Sequence, residues 1–222
     1  MISVPNRNAS LFCLMVIVVL TGNTVVLSQN SPLERPLVIL IGPPLSGQTT
    51  LVTPIQRRYG IPGISVEDLI KDHASELRKM HRGRTSMAEM RYDPAMSRYL
   101  RARLGSMDLG RGAALDGFPA SRQQAEELAK MIQELHLNPI VLQLEIPDDV
   151  VRKRAAAAGR QSDQPKIIEQ RIKDYHREFD MISLYYPNAK IVKIDGTQSE
   201  EKMWKAMQQA LDEAKLRLAE KK

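Results

Sequence analysis

At 222 residues, with 43% hydrophobic and 26% charged side chains, the chain has the composition of an ordinary soluble globular protein and is neither fibrous nor low in complexity. A formal charge of +6 suits an anionic partner, and by itself it does not separate a small phosphorylated ligand from a nucleic acid. The single cysteine, Cys13, excludes a disulfide framework.

Residues 1–28 have the three parts of an export signal. Arg7 stands in a short polar start, an apolar run follows from Leu11 to Leu20, and Val26-Leu27-Ser28 offers small residues before a mature start at Gln29. The apolar run falls short of the roughly 20 residues a membrane span needs, and Thr21 to Thr24 interrupt it. The expectation is a periplasmic or secreted protein. The alternative is a retained N-terminal anchor, which would be the only contact with a membrane. Cys13 would leave with the signal, so the mature domain would have no thiol nucleophile. Residues 29–222 are expected to form one domain, large enough to bury a sizeable core.

Short apolar runs alternate with helical patterns from Pro36 onward, which points to a parallel sheet flanked by helices. Leu37 to Ile41 reads as a buried strand ending at Gly42, and a helix follows from about Gly47 to Tyr59. A second helical stretch starts at Ser65 and includes Leu77. The segment from His81 to Tyr92 is polar and poorly periodic, and reads as a connection. Asp93 fits a cap and Pro94 a first turn for a helix reaching about Leu104. Ala113 to Asp116 is a further strand, Ser121 to Leu137 a helix, and Ile140 to Leu144 a strand. Helices follow at Pro147–Ala158 and from Ile167 to about Leu184, separated by a break at Gly159–Pro165. Lys190 to Ile194 is the last strand, before an amphipathic helix whose Met203, Met207 and Leu211 form a core stripe. His73, His81, His136 and His176 show no ligand spacing and read as surface residues, and Arg82-Gly83-Arg84 reads as a solvated basic loop.

The first strand runs directly into Gly42-Pro43-Pro44-Leu45-Ser46-Gly47-Gln48-Thr49-Thr50, which opens a helix. Glycines so placed let backbone N–H groups turn inward around a phosphate at a helix N-terminus. The strand before and the helix after are the context such a loop requires. Its usual lysine is Gln48 here, and the segment alone also fits a tight strand–helix turn.

Further on stand Ser65 to Lys71, Asp116-Gly117-Phe118-Pro119, Gln124-Ala125 and the arginines Arg154, Arg160 and Arg171, and with them the chain from Leu37 to about Leu211 resembles, in order and in spacing, the adenylate kinases and related nucleoside monophosphate kinases. Asp116-Gly117-Phe118-Pro119 is similar to the family's Asp-Gly-Phe-Pro signature, and Ser65 to Lys71 to its Ser-Thr-Gly-Asp-Leu-Leu-Arg segment. Gln124-Ala125, the arginines Arg154, Arg160 and Arg171, and Asp195-Gly196-Thr197 resemble the remaining motifs of the short-lid form. The resemblance implies a three-layer α/β/α fold of the phosphate-binding-loop class. Its parts would be a central parallel five-stranded sheet, a small helical insert for the monophosphate and a short lid at Ala155–Pro165.

It also implies transfer of the γ-phosphoryl of MgATP to a nucleoside monophosphate, by positioning and charge neutralisation. In that scheme Gly42, Pro43, Pro44, Ser46, Gly47, Gln48, Thr49 and Thr50 hold the donor phosphates, and Arg154 lies by the donor adenine. Thr49 and Asp116 lie near Mg²⁺. Arg160 and Arg171 clamp the moving phosphoryl, while Ser65, Lys71, Gly117 and Gln124 face the acceptor. Nucleotides are the implied partners, no nucleic acid is predicted, and a monomer is expected.

Departures from the family pattern concentrate on the chemistry. Gln48 replaces a lysine, Leu45 a glycine, and Ala120 and Lys71 two acceptor-side arginines. Ala158 lies near where a lid arginine would be, and Glu67 puts a negative charge where a small residue is usual. Each preorganised charge missing from an anionic transition state costs about 3 kcal/mol. Weak or altered activity, or a catalytically silent binder of phosphorylated ligands, is the expectation.

Overall fold

The computed structural model describes residues 34–81, 87–160, 163–187, 189–214 and 216, and two short strands nearer the N-terminus. Those strands, β1 (Val19–Leu20) and β2 (Asn23–Thr24), pair antiparallel within a unit of their own, Met1–Ser31. The rest of the expected signal at 1–28 lies outside the described residues, as do Arg82-Gly83-Arg84 and Gln161-Ser162 of the lid.

The second unit, Pro32–Lys222, is built on five parallel strands in the order β4-β5-β3-β6-β7. At the centre β3 (Pro36–Ile41) pairs with β5 (Ala113–Asp116) on one side and β6 (Asn138–Glu145) on the other. Leu37, Val38, Ile39 and Leu40 have no exposed surface, because both faces of a central parallel strand are covered by helices. Leu37, Ile39 and Ile41 point to one core, with Leu115 and Val141, against α5 (Ala95–Gly105) and α6 (Arg122–Glu134). Val38 and Leu40 point to the other, against α1 (Gln48–Tyr59) and α9 (Glu200–Glu213), where Met203, Met207 and Leu211 are buried as expected.

The edge strands are β7 (Lys190–Asp195) and β4 (Gly63–Ser65). The latter is three residues long and has no apolar run that marks it in the sequence. The helical stretch from Ser65 is two helices, α2 (Val66–Asp72) and α3 (Ala74–Met80), broken at His73. His73 is not a free surface residue, since its ring stacks on Tyr99 with centroids 3.6 Å apart. His81 is likewise engaged, bonded to the buried carboxylate of Asp93. The connection after it contains one turn, α4 (Met87–Met90). The N-cap of α5 is Pro94 rather than Asp93, and Asp93 just before it supplies a side-chain bond, its Oδ1 accepting from Ala95 N at 2.7 Å.

A third cluster, Ile146, Val151, Ala155, Ile168 and Ile172, joins α7 (Asp148–Ala158) to α8 (Pro165–Tyr185). These two helices form a hairpin over the carboxyl ends of the strands. The chain reverses its direction of winding at β3, with β4 and β5 on one side and β6 and β7 on the other. The loops after β3 and β5 therefore open at the position where doubly wound sheets place their ligands.

Candidate active site

The loop from Gly42 to Gly47 folds back on itself, with Ser46 N donating to Pro43 O at 3.1 Å. A Cβ at Gly42 would lie 2.6 Å from Ser46 Oγ, so only glycine permits this approach. Gly47, at φ 90, is the N-cap of α1 and supplies no side-chain bond. The first amides of α1 therefore keep their unpaired donors and the positive end of the helix dipole toward the cleft. Leu45 stands at φ 61, in the left-handed region that a glycine would adopt freely. Its side chain packs on the Ile146–Ile172 cluster of the lid hairpin.

Beneath the loop, Asp116 ends β5 and is 5% exposed. Gln48 Nε2 donates to its Oδ1 at 3.0 Å, and the Thr49 side chain hydrogen-bonds to it. Burial pushes the Asp116 pKa above its ordinary 3.8, and the two neutral donors and the charge of Arg91 only partly offset this. The Oε1 of Gln48 is buried without a hydrogen-bond partner. Thr50 is exposed and turns its hydroxyl back to Gly47 O at 2.8 Å, outside the cleft lining.

Across the cleft, α8 carries Arg171, and Arg160 follows the end of α7. Both guanidinium groups pair with Asp163, at 3.6 and 3.5 Å, and that carboxylate is itself buried. Burial and then the like charge of Arg91 pull the Arg171 pKa down. Two cations share one anion here, so one net positive charge is left facing the cleft. Arg154 lies behind the loop. Its Nη1 donates to Leu45 O at 2.8 Å and its Nη2 to Gly196 O at 2.7 Å, which ties the loop to the turn after β7.

The remaining wall comes from α2 and the segment after β5. Ser65 caps α2 by accepting from Asp68 N at 3.0 Å, and Lys71 pairs with Asp68 at 3.4 Å. Ser65, Glu67, Lys71, Gly117 and Ala120 all line the cleft. Gln124 does not. It is fully buried, its Oε1 accepts from Ala120 N at 2.8 Å, and its Nε2 donates to Arg91 O at 2.8 Å and Asp93 O at 3.2 Å. Its amide is spent on holding two wall segments together.

The cleft has a volume of ≈ 680 Å³, and the sequence-derived residues Gly42 to Thr49, Asp116, Arg160 and Arg171 converge on it. It also contains Asp163 of the lid segment, and residues that the motifs did not indicate: Arg91, Tyr92, Tyr175 and Phe179. Tyr175 and Phe179 stack at 5.6 Å on α8 and give one wall an aromatic surface. Burial pushes the Tyr175 hydroxyl up to about 12, so it stays protonated and able to donate. In the sequence, Arg91 lies in the polar connection from His81 to Tyr92, which no motif marks.

An arrangement of helix-terminal amides, a buried carboxylate and converging guanidinium groups can bind a polyphosphate and neutralise charge on a phosphoryl group in transit. Residues 40–191 match the adenylate kinase family. Among curated proteins, the chain is 30% identical to the adenylate kinase of Micrococcus luteus over 174 residues, covering 72% of this chain and 82% of that protein. It is 31% identical to the adenylate kinase of Corynebacterium urealyticum over 179 residues (79% and 98%). With the adenylate kinase of Xanthomonas oryzae pv. oryzae it shares 28% over 184 residues (78% and 98%).

Proposed function

The chain belongs to the adenylate kinase family, and on that premise we propose that it transfers the γ-phosphoryl of ATP to a nucleoside monophosphate, at a reduced rate or with altered specificity. The observation that carries this reading is the placement of Arg160 and Arg171, both on Asp163, across the cleft from the loop and Asp116. A phosphoryl group moving between two nucleotides needs such a cluster more than it needs a nucleophile from the protein. The donor triphosphate takes the loop amides, the acceptor takes the side lined by Ser65, Lys71 and Gly117, and α7–α8 excludes water.

Magnesium is held in such sites by one or two carboxylates together with substrate phosphates. Asp116 fits this need, since its carboxylate is buried with only neutral hydrogen-bond donors and a nearby positive charge would restore its ordinary acidity. Thr49, bonded to the same carboxylate, is the second candidate. Once bound, the ion would neutralise negative charge on the donor phosphates.

A second reading, a catalytically silent binder of a nucleotide or another phosphorylated ligand, is favoured by the Gln48–Asp116 bond. A lysine would reach the terminal phosphates as a point charge, whereas the Gln48 amide is neutral and tied down. Residues 1–28 are proposed as an export signal, and N-terminal sequencing of the mature protein tests this by the presence or absence of a start at Gln29.

The deciding experiment incubates purified protein with MgATP and each nucleoside monophosphate and follows diphosphate formation. Turnover that Arg160→Ala abolishes supports the enzyme. If neither the unmodified protein nor Gln48→Lys turns over, and ATP does not raise the melting temperature, the kinase reading fails.

A further inference from the structure

The acceptor side of the cleft is poor in charge at the positions where the family motifs supply it. Ala120 has no cation to offer, Lys71 is mostly exposed and paired with Asp68, and Gln124 is sealed in the wall. One guanidinium nevertheless lines this region, that of Arg91. Its Nη2 reaches Gly117 O at 3.4 Å, a long and weak bond, and its Nε is buried without any hydrogen-bond partner. Among the described residues it has no ion pair. A guanidinium has five donors in a fixed fork, and most of these are unused.

The backbone beneath it is held firmly. Gln124 Nε2 bonds Arg91 O and Asp93 O, while Tyr92 N and Asp93 N donate to Glu89 O and Met90 O at 3.0 Å. Opposite, Gly117 at φ 74 keeps the passage open, since a Cβ there would lie 3.3 Å from Arg91 Nη2. Arg91 lines the same cleft as Asp116 and Arg171, and its charge acts on both of them. Arg160 and Arg171 share the carboxylate of Asp163, whereas Arg91 has no carboxylate partner among the described residues.

We propose that Arg91 is the ligand for the acceptor's phosphate, supplying from the segment before α5 the charge that Ala120 and Lys71 do not. This rests on the phosphotransferase reading above. It carries a consequence for specificity: with the Gln124 amide spent, the acceptor is selected through its phosphate rather than its base.

The test is calorimetric titration of the full chain with AMP, adenosine and, separately, ATP, for the unmodified protein, Arg91→Ala, Arg91→Lys and the exposed charge control Arg57→Ala. The expected result is AMP binding weakened about tenfold or more by Arg91→Ala and in part by Arg91→Lys, whose point charge cannot make a bidentate contact. ATP binding stays within about twofold in all forms, which also shows that the variants are folded, and Arg57→Ala changes neither ligand. Adenosine binds far more weakly than AMP. AMP binding equal in Arg91→Ala and the unmodified protein overturns the assignment while leaving the phosphotransferase reading intact. AMP and ATP weakened to the same degree also overturns it, as does an unmodified protein that binds ATP but not AMP. Failure to bind ATP at all overturns both readings.

Discussion

Asp116 keeps a carboxylate beneath the loop with the Gln48 amide and the Thr49 hydroxyl as neutral donors, and burial raises its pKa above 3.8. In the unfolded chain this group loses its proton near 3.8, so between that pH and the folded value the native state holds more protons. Its contribution therefore becomes unfavourable as pH rises through that window, and the full cost persists at neutral pH. Asp116→Asn removes the ionisation. It is expected to melt higher than the unmodified protein at pH 7, with the difference closing as pH falls to about 4 and below, as read by calorimetric scans across that range. Gln48→Lys acts on the same pair from the other side. A charge-assisted bond adds about 1.5–3 kcal/mol where the lysine meets carboxylate and phosphate. Titration with ATP should then show roughly tenfold or greater tightening, and the acid dependence attributed to Asp116 should flatten. Unchanged ATP affinity in Gln48→Lys would show that the loop does not present position 48 to the donor phosphates. None of this coupling was legible in the sequence, because the Gln48–Asp116 contact joins residues 68 positions apart.

Between β3 and α1, the backbone conformation and the side-chain packing of the loop pull in opposite directions at Leu45. Its φ of 61 costs about 1 kcal/mol for a residue with a Cβ. Its side chain offsets this by packing on Ile146, Val151, Ala155, Ile168 and Ile172, where a half-buried leucine contributes about 1–1.5 kcal/mol. Replacement by glycine removes both terms and adds about 0.5–1 kcal/mol of unfolded-chain entropy. Leu45→Gly is therefore expected to lower the melting temperature by roughly 2–4 °C rather than raise it, and to loosen α7–α8 over the loop. A higher melting temperature would mean that backbone strain outweighs the lid contact. The sequence allowed Leu45 to be recognised as a departure, but its lid contact depends on an α7–α8 hairpin about 100 residues downstream. Elements with strong local patterns were legible: β3, β5, β6 and β7 from their apolar runs, and α5 from Asp93 and Pro94. Two features lacked such signals. The strand β4 is only three residues long, and the break at His73 interrupts no apolar period.

Across the whole cleft, Arg91, Arg160, Arg171 and Lys71 face Glu67, Asp116 and Asp163, in a protein whose formal charge is +6. The motif-bearing members of this set were readable through the family resemblance of the segments they stand in. Arg91 was not, because its position follows from Gln124 pinning residues 91–93 to α6, a contact no local pattern announces. Glu67 is the member whose charge works against a phosphate ligand, and it already makes Asp116 harder to ionise. It lies on exposed α2 surface, so solvent screens it and its removal should be worth only about 0.3–1 kcal/mol. Glu67→Gln is accordingly expected to tighten AMP and ATP binding about two- to fivefold at low ionic strength, without altering the melting temperature of the free protein. Because the effect acts through the field in the cleft and not through a contact, it should fade toward unity near 0.5 M salt, where the screening length is about 4 Å. A tightening that survives at high salt would instead place the Glu67 carboxylate in direct contact with the ligand. No tightening at any salt would mean that the bound phosphate lies beyond the reach of α2, on the Arg171 side of the cleft.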